Sequence, residues 1–173
     1  MNKLVLSLLN WYKKEKRELP FRGISDPYKI WLSEVMLQQT KVNTAIPYYQ
    51  RWLQNYPTLK SVAEAEQESL LKIWEGLGYY SRCRNFHKAT KIILNKYNGV
   101  IPDNWDEFRA MPGVGDYTAA AVLSISFNKK FSVMDGNVKR VMARLLGLRR
   151  FTKRNLKRIK NTLDKMIPDL NPC

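Results

Sequence analysis

Two glycines one residue apart, in Met111-Pro112-Gly113-Val114-Gly115, separate two stretches of helical pattern. Asp103 to Arg109 reads as a short helix with Asp103 as its candidate N-cap. Tyr117 to Ile125 reads as a second, tightly packed helix. Glycine at such a junction lets the chain turn sharply and leaves backbone N–H groups facing outward. Those groups lie at the N-terminus of the second helix, where the helix dipole favours a phosphate. The stretch reads as a helix-hairpin-helix that grips a nucleic-acid backbone. An ordinary αα-turn has the same local signature, so the reading depends on the rest of the chain.

The charge balance points the same way. The 173 residues carry 30 Lys+Arg against 15 Asp+Glu, a net charge of +15. An excess of that size predicts a polyanionic partner. No apolar run approaches the ~18 residues of a membrane span. Leu4 to Leu9 is too short for a signal-peptide core, so the N-terminus reads as a mature, intracellular helix. From Gly136 to Leu163 there is no Asp or Glu, but ten basic residues: Lys139, Arg140, Arg144, Arg149, Arg150, Lys153, Arg154, Lys157, Arg158 and Lys160. Following a phosphate-type hairpin, this run is expected to face nucleic acid, although charge runs are commonly only solvated faces. Two cysteines, Cys83 and Cys173, give neither metal-ligand spacing nor a disulfide framework. The single histidine, His87, is expected to pack on a helix, and a histidine-based triad is excluded.

Almost every segment shows helical periodicity and no strand alternation of useful length appears, so the fold class is all-α. Leu4, Val5, Leu8, Leu9 and Tyr12 form one apolar face, and Leu19 to Gly23 is a linker. Asp26 caps a helix with Pro27 at its first position, running to about Thr40. A second helix covers Val42 to Asn55, with Pro47 predicting a kink or a later start near Thr44. Short helices follow after Thr58 and over Gln67 to Glu75, the latter stopped by Gly76 and Gly78. Ser81 to Tyr97 is a long helix closed by Gly99. Beyond the hairpin, Phe131 to Met134 is extended, and helices follow on Val138–Leu145 and Leu156–Met166. The expected organisation is a central helical bundle over residues 24–130 with the hairpin at about 103–127. Residues 1–23 and 131–173 would form a second, incomplete helical lobe.

Two carboxylates carry the chemistry. Glu34 lies mid-helix among Ile30, Trp31, Leu37 and Gln38, three of them apolar. Lost hydration raises a carboxyl pKa and makes a general acid available at neutral pH. Asp135 precedes a helix, where backbone N–H groups stabilise its charged form. One protonated and one ionised carboxylate is the arrangement that cleaves a glycosidic bond.

The chain resembles the helix-hairpin-helix DNA glycosylase superfamily, and within it the MutY family of adenine DNA glycosylases. The matching segments are Pro27–Thr40 (PYKIWLSEVMLQQT), Gly76–Arg82 (GLGYYSR), Met111–Gly115 (MPGVG) and Asp135–Val141 (DGNVKRV). They occur in order across nearly the whole chain. The resemblance implies hydrolysis of adenine from mispairs with 8-oxoguanine or guanine in double-stranded DNA. Glu34 would protonate adenine and activate water, and Asp135 would stabilise the oxocarbenium-like sugar. Asn137 and Tyr117 would support the reaction. Gln39 and Tyr79 would enter the duplex as a wedge, with Arg22, Gln38 and Thr40 beside the DNA. Gly113, Val114 and Gly115 would hold a phosphate, with a monovalent cation on the carbonyls of loop 111–115, and Lys139 and Arg140 would add backbone contacts.

Two departures from the family pattern stand out. Phe21 occupies a position where the family often has Trp. The chain also stops at Cys173, before the expected closing helices, four-cysteine [4Fe-4S] motif and C-terminal domain, so the cluster implied by the family has no ligand set here and no other metal is expected. A truncated chain, less stable and less selective than a longer relative, is the expectation. It would be a monomer, cytoplasmic and nucleoid-associated if bacterial. The runner-up activities are an endonuclease III-like glycosylase with lyase activity and a thymine-mismatch glycosylase. Lyase relatives place a nucleophilic lysine where this chain has Tyr117. A DNA-binding remnant without turnover is the reading from a different class.

Overall fold

The computed structural model describes residues 3–167, so Cys173 lies outside the described residues. All regular structure among them is helical: α1 (Lys3–Glu15), α2 (Pro27–Leu37), α3 (Val42–Asn55), α4 (Leu59–Ala63), α5 (Gln67–Trp74), α6 (Ser81–Tyr97), α7 (Trp105–Arg109), α8 (Asp116–Phe127), α9 (Gly136–Leu145) and α10 (Lys153–Met166). No described helix is long and apolar enough to cross a membrane.

Local chemistry accounts for most boundaries. The Asp26 carboxylate accepts from the N–H groups of Tyr28 and Lys29, with Pro27 at the first turn of α2. α2 ends at Leu37 rather than near Thr40, because Gln38 turns extended and Gln39 adopts φ 56°. α3 starts at Val42 and runs through Pro47, so the later start near Thr44 is not observed. A proline one turn into a helix removes a single N–H, and burial of Ala45, Tyr49 and Trp52 offsets that loss. α7 is capped by Asn104, not Asp103: the Asn104 side chain accepts from Asp106 and Glu107 N–H, while Asp103 pairs with Lys129 at 2.7 Å. α6 closes through Asn98 in the left-handed region, with Gly99 following at φ 79°.

The main core gathers Trp31, Trp52, Trp74, Phe86 and Phe108, all essentially buried. Trp52 sits edge-on to Trp74, and Trp31 edge-on to both Phe86 and Phe108. Such edge-to-face pairs add about 0.5–1.5 kcal/mol each beyond their buried area. α2 is the central element, packing against α8, α3 and α6. It is apolar nearly all round, as a helix in the middle of a bundle must be. A second, smaller cluster joins α9 to α10 through Met142, Ala143 and Ile159. On α1 only Val5 of the expected apolar face is buried, and Leu8 and Trp11 are more than half exposed. His87 is buried and held by the backbone of Ala63 and Ala65, as expected of a packed histidine.

Candidate active site and nucleic-acid interface

Glu34 projects from the middle of α2, between Ser33 and Val35, both buried. Tyr117 comes from the first turn of α8, and Asp135 is the N-cap of α9. Three segments distant in sequence thus converge on one acid. Burial pushes the Glu34 carboxyl above its ordinary value, and the charge of Asp135 pushes it the same way. A hydrogen bond with the Tyr117 hydroxyl pulls it back. Tyr117 is itself held well above its usual value by burial and by Glu34, so its hydroxyl keeps its proton and donates.

The Asp135 carboxylate accepts from Val138 N–H at 2.7 Å and from Asn137 Nδ2 at 3.0 Å. The Asn137 carbonyl in turn accepts from Arg140. Asp135, Asn137 and Arg140 therefore form one chain of contacts, and Arg140 orients Asn137 while remaining exposed. Ser132, three residues before Asp135, donates to Asp164 at 2.6 Å and accepts from Lys160 at 2.7 Å. This buried serine ties the segment entering Asp135 to α10. Lys160 is thereby engaged internally, unlike Arg144, Arg149, Arg150, Lys153, Arg154, Lys157 and Arg158, which are exposed as the basic run predicts. Lys139 is half-buried.

Gln38, Gln39 and Thr40 follow α2, and Tyr79 follows the Gly76–Gly78 turn. Gln38 donates to Thr118 at 3.4 Å, linking the end of α2 to α8. Gln39 and the 59 % exposed Tyr79 are both in the left-handed region, at φ 56° and 48°. The residue that unites these two loops is Arg82, whose role the sequence reading missed. One guanidinium nitrogen donates to the carbonyls of Val35, Met36 and Gln38 and to the Thr40 hydroxyl, and the other to the carbonyls of Leu77 and Gly78. Arg82 caps α2 from another helix, satisfying the last-turn carbonyls that the end at Leu37 leaves without helical partners. Its only sequence signal is a position in the first turn of a helix that follows two glycines. Arg22 lies apart from these groups: its contacts are Arg17 and the Tyr12 ring.

The hairpin has the expected form. Gly113 adopts φ 77°, and Gly115 caps α8 with no side chain on the exposed amides. A cleft of about 260 Å³ separates the hairpin from α2 and α6, lined in part by Gln38, Arg82, Asn85 and Gly113. Three of the five carbonyls of loop 111–115 already have donors, Gly115 O accepting from Ala119 N–H, so the loop is a poor cradle for an alkali cation. Met111 O accepts from Val114 N–H at 3.0 Å, and Val114 O accepts from the Arg109 guanidinium at 2.8 Å. A four-thiolate cluster does not fit the described residues either. Cys83 is buried in the core with its thiol pushed up to about 12, and no group of three His, Cys, Asp or Glu among the described residues comes together as a metal site.

The HhH-GPD superfamily of base excision DNA repair proteins matches residues 32–168. The chain is 39 % identical to an adenine DNA glycosylase of Buchnera aphidicola from Acyrthosiphon pisum, over 99 % of this chain and 49 % of that protein. It is 43 % identical to the adenine DNA glycosylase of Mus musculus, over 80 % of this chain and 29 % of that one. The chain spans about half the length, or less, of these curated relatives. Among solved structures, a thermostable thymine-DNA glycosylase superposes with TM-score 0.89 at 25 % identity, covering 98 % of this chain and 79 % of that one. A trapped endonuclease III–DNA covalent intermediate superposes with TM-score 0.78 at 27 % identity, over 95 % and 75 %. With its hairpin, its all-helical fold and these matches, the chain belongs to the HhH-GPD superfamily of base excision DNA repair proteins.

Proposed function

We propose that this chain acts as a monofunctional adenine DNA glycosylase on double-stranded DNA with adenine opposite 8-oxoguanine or guanine. The convergence of Glu34, Tyr117 and Asp135 carries this reading. The adenine must first leave the stack, and Gln39 and Tyr79 fill the gap beside its partner. Glu34, whose carboxyl burial makes a weaker acid, gives its proton to an adenine ring nitrogen as the C1′–N bond breaks. The departing base takes the bond's electron pair. Asp135 faces the cationic sugar that remains, with Asn137 holding its second oxygen. Water then adds to C1′, and its proton returns to the Glu34 carboxylate. Tyr117 donates to that carboxylate through both halves of the reaction, and it supplies no amine for a Schiff base.

Residues 24–130 would form the central helical bundle with the hairpin, and residues 1–23 with 131–173 a second lobe that contributes Asp135 and Asn137 to the site. The separate core cluster of α9 and α10 supports the division for residues beyond 131, whereas Phe21 packs on the main core. Gly113, Val114 and Gly115 would hold a phosphate, Lys139 and Arg140 would touch the backbone nearby, and Thr40 and Gln38 would follow the opposite strand.

The deciding experiment is single-turnover incubation with an adenine:8-oxoguanine duplex, with and without hot alkali. The expected result is strand breaks only after alkali. Borohydride trapping of the wild-type chain would instead indicate a lyase. Tight duplex binding with no abasic sites would leave a DNA-binding module.

A further inference from the structure

Arg109 closes α7 immediately before the hairpin. Its Nη1 donates to Val114 O at 2.8 Å, and its Nε lies 2.6 Å from the Asp116 carboxylate. One guanidinium thus bridges the loop carbonyl before Gly115 and the first residue of α8. We propose that Arg109 is a built-in cation for the hairpin, taking the place of the alkali ion expected on loop 111–115, so that the grip on phosphate is independent of sodium or potassium. This inference rests on the reading of the hairpin as a DNA contact.

Three observations support it. The Val114 carbonyl already faces a positive charge, and a second cation on that oxygen would lie only ~5 Å from the guanidinium, where like charges repel. The Met111 carbonyl accepts from Val114 N–H and the Gly115 carbonyl from Ala119 N–H, so with Val114 three of the five loop carbonyls are already engaged. Asp116 is 81 % exposed on the same helix end that would receive a phosphate. Alone, that carboxylate would repel DNA, and Arg109 neutralises it at hydrogen-bonding distance. A planar guanidinium fits both acceptors at fixed angles, which a lysine ammonium does less well. Arg109 therefore does two things an alkali ion would do: it fixes the carbonyl and screens the negative charge beneath the phosphate site.

The test compares potassium chloride with tetramethylammonium chloride at equal ionic strength. For the wild type, duplex affinity and melting temperature should be the same in both salts, to within about twofold in Kd. Arg109→Met should bind about tenfold more weakly in tetramethylammonium and regain affinity in potassium, with a potassium-specific rise in its melting temperature. Arg109→Lys keeps a cation and should remain independent of the ion. Wild-type binding about tenfold tighter in potassium would overturn the proposal, as would an Arg109→Met variant matching the wild type in both salts. The melting arm contains no DNA. A chain that bound no duplex in any salt would count against the proposed function, and its melting curves would still decide the role of Arg109.

Discussion

The Arg82 guanidinium carbon lies 5.4 Å from the centre of the Tyr79 ring, while the same group donates to the carbonyl of Gln38, the residue before Gln39. One buried cation thus holds both residues of the proposed wedge. Tyr79 and Gln39 each occupy a left-handed conformation that costs a residue with a side chain about 1–3 kcal/mol. The five carbonyls that Arg82 serves offset that cost. A lysine cannot span them, because its single nitrogen has three donors at one point.

Arg82→Lys should therefore destabilise the fold by about 2–4 kcal/mol, measured by urea unfolding. In the folded variant, a 2-aminopurine probe beside the mismatch should report reduced base extrusion. A loss under about 1 kcal/mol would mean that water serves those carbonyls adequately.

Glu34→Gln keeps the shape of the side chain and removes the proton donor. Excision should fall about 10²–10⁴-fold with duplex affinity retained. Thermal stability should move the other way. The folded pKa of Glu34 is raised, so wild-type stability declines as pH rises from the unfolded value of about 4.3 through the raised one. Glutamine has no charge to bury, so the variant should melt higher than wild type at neutral pH, and the gap should close below about pH 4. A variant less stable at pH 7 would place the Glu34 carboxylate in a favourable environment instead.

Tyr117→Phe probes the same acid from outside. The Tyr117 hydrogen bond lowers the Glu34 pKa against the larger effect of burial. Removing the hydroxyl should raise it further. The alkaline limb of the single-turnover pH–rate profile, where the acid loses its proton, should move to higher pH. A shift to lower pH would mean that Tyr117 favours the protonated form.

Binding to DNA should be strongly salt-dependent. If five or six of the exposed basic residues meet phosphates, log K should fall with log salt with a slope of about −5. A slope near zero would remove the basic run on α9 and α10 from the interface.

Legibility in the sequence tracks how local each cause is. Asp26, Pro27 and the glycines at 76, 78 and 113 act on their own turns, so helix starts and the hairpin could be read directly. The raised pKa of Glu34 was also readable, because its cause is burial and the helix that carries it is apolar nearly all round. Arg82 and the end of α2 could not be read, because the capping group lies more than forty positions from the carbonyls it serves. The swap of Asp103 for Asn104 as cap has the same origin: a distant Lys129 takes the aspartate away. The engaged Val114 carbonyl was equally hidden, since nothing in Arg109 alone indicates that its side chain turns towards the loop.

The two hairpin glycines separate folding from binding. Gly113 has φ 77°, and a Cβ there would meet Asn85 Cβ at 2.9 Å. Both the backbone angle and the contact with a helix-borne side-chain carbon oppose any larger residue. Gly113→Ala should cost about 1–3 kcal/mol of stability and weaken DNA binding as a consequence. Gly115 differs in both respects: it caps α8 at φ −92°, and a Cβ would have nothing within 4 Å. Alanine fits the free protein there without strain, so stability should change by less than about 0.5 kcal/mol. The new methyl group would stand beside the amides at the helix N-terminus, where a phosphate would approach. Gly115→Ala should therefore bind duplex more weakly, by about tenfold, with an unchanged urea midpoint. Filter binding and urea unfolding on the two variants give the comparison. If Gly115→Ala binds as tightly as the wild type, the phosphate does not approach that helix end, and the hairpin is a structural turn.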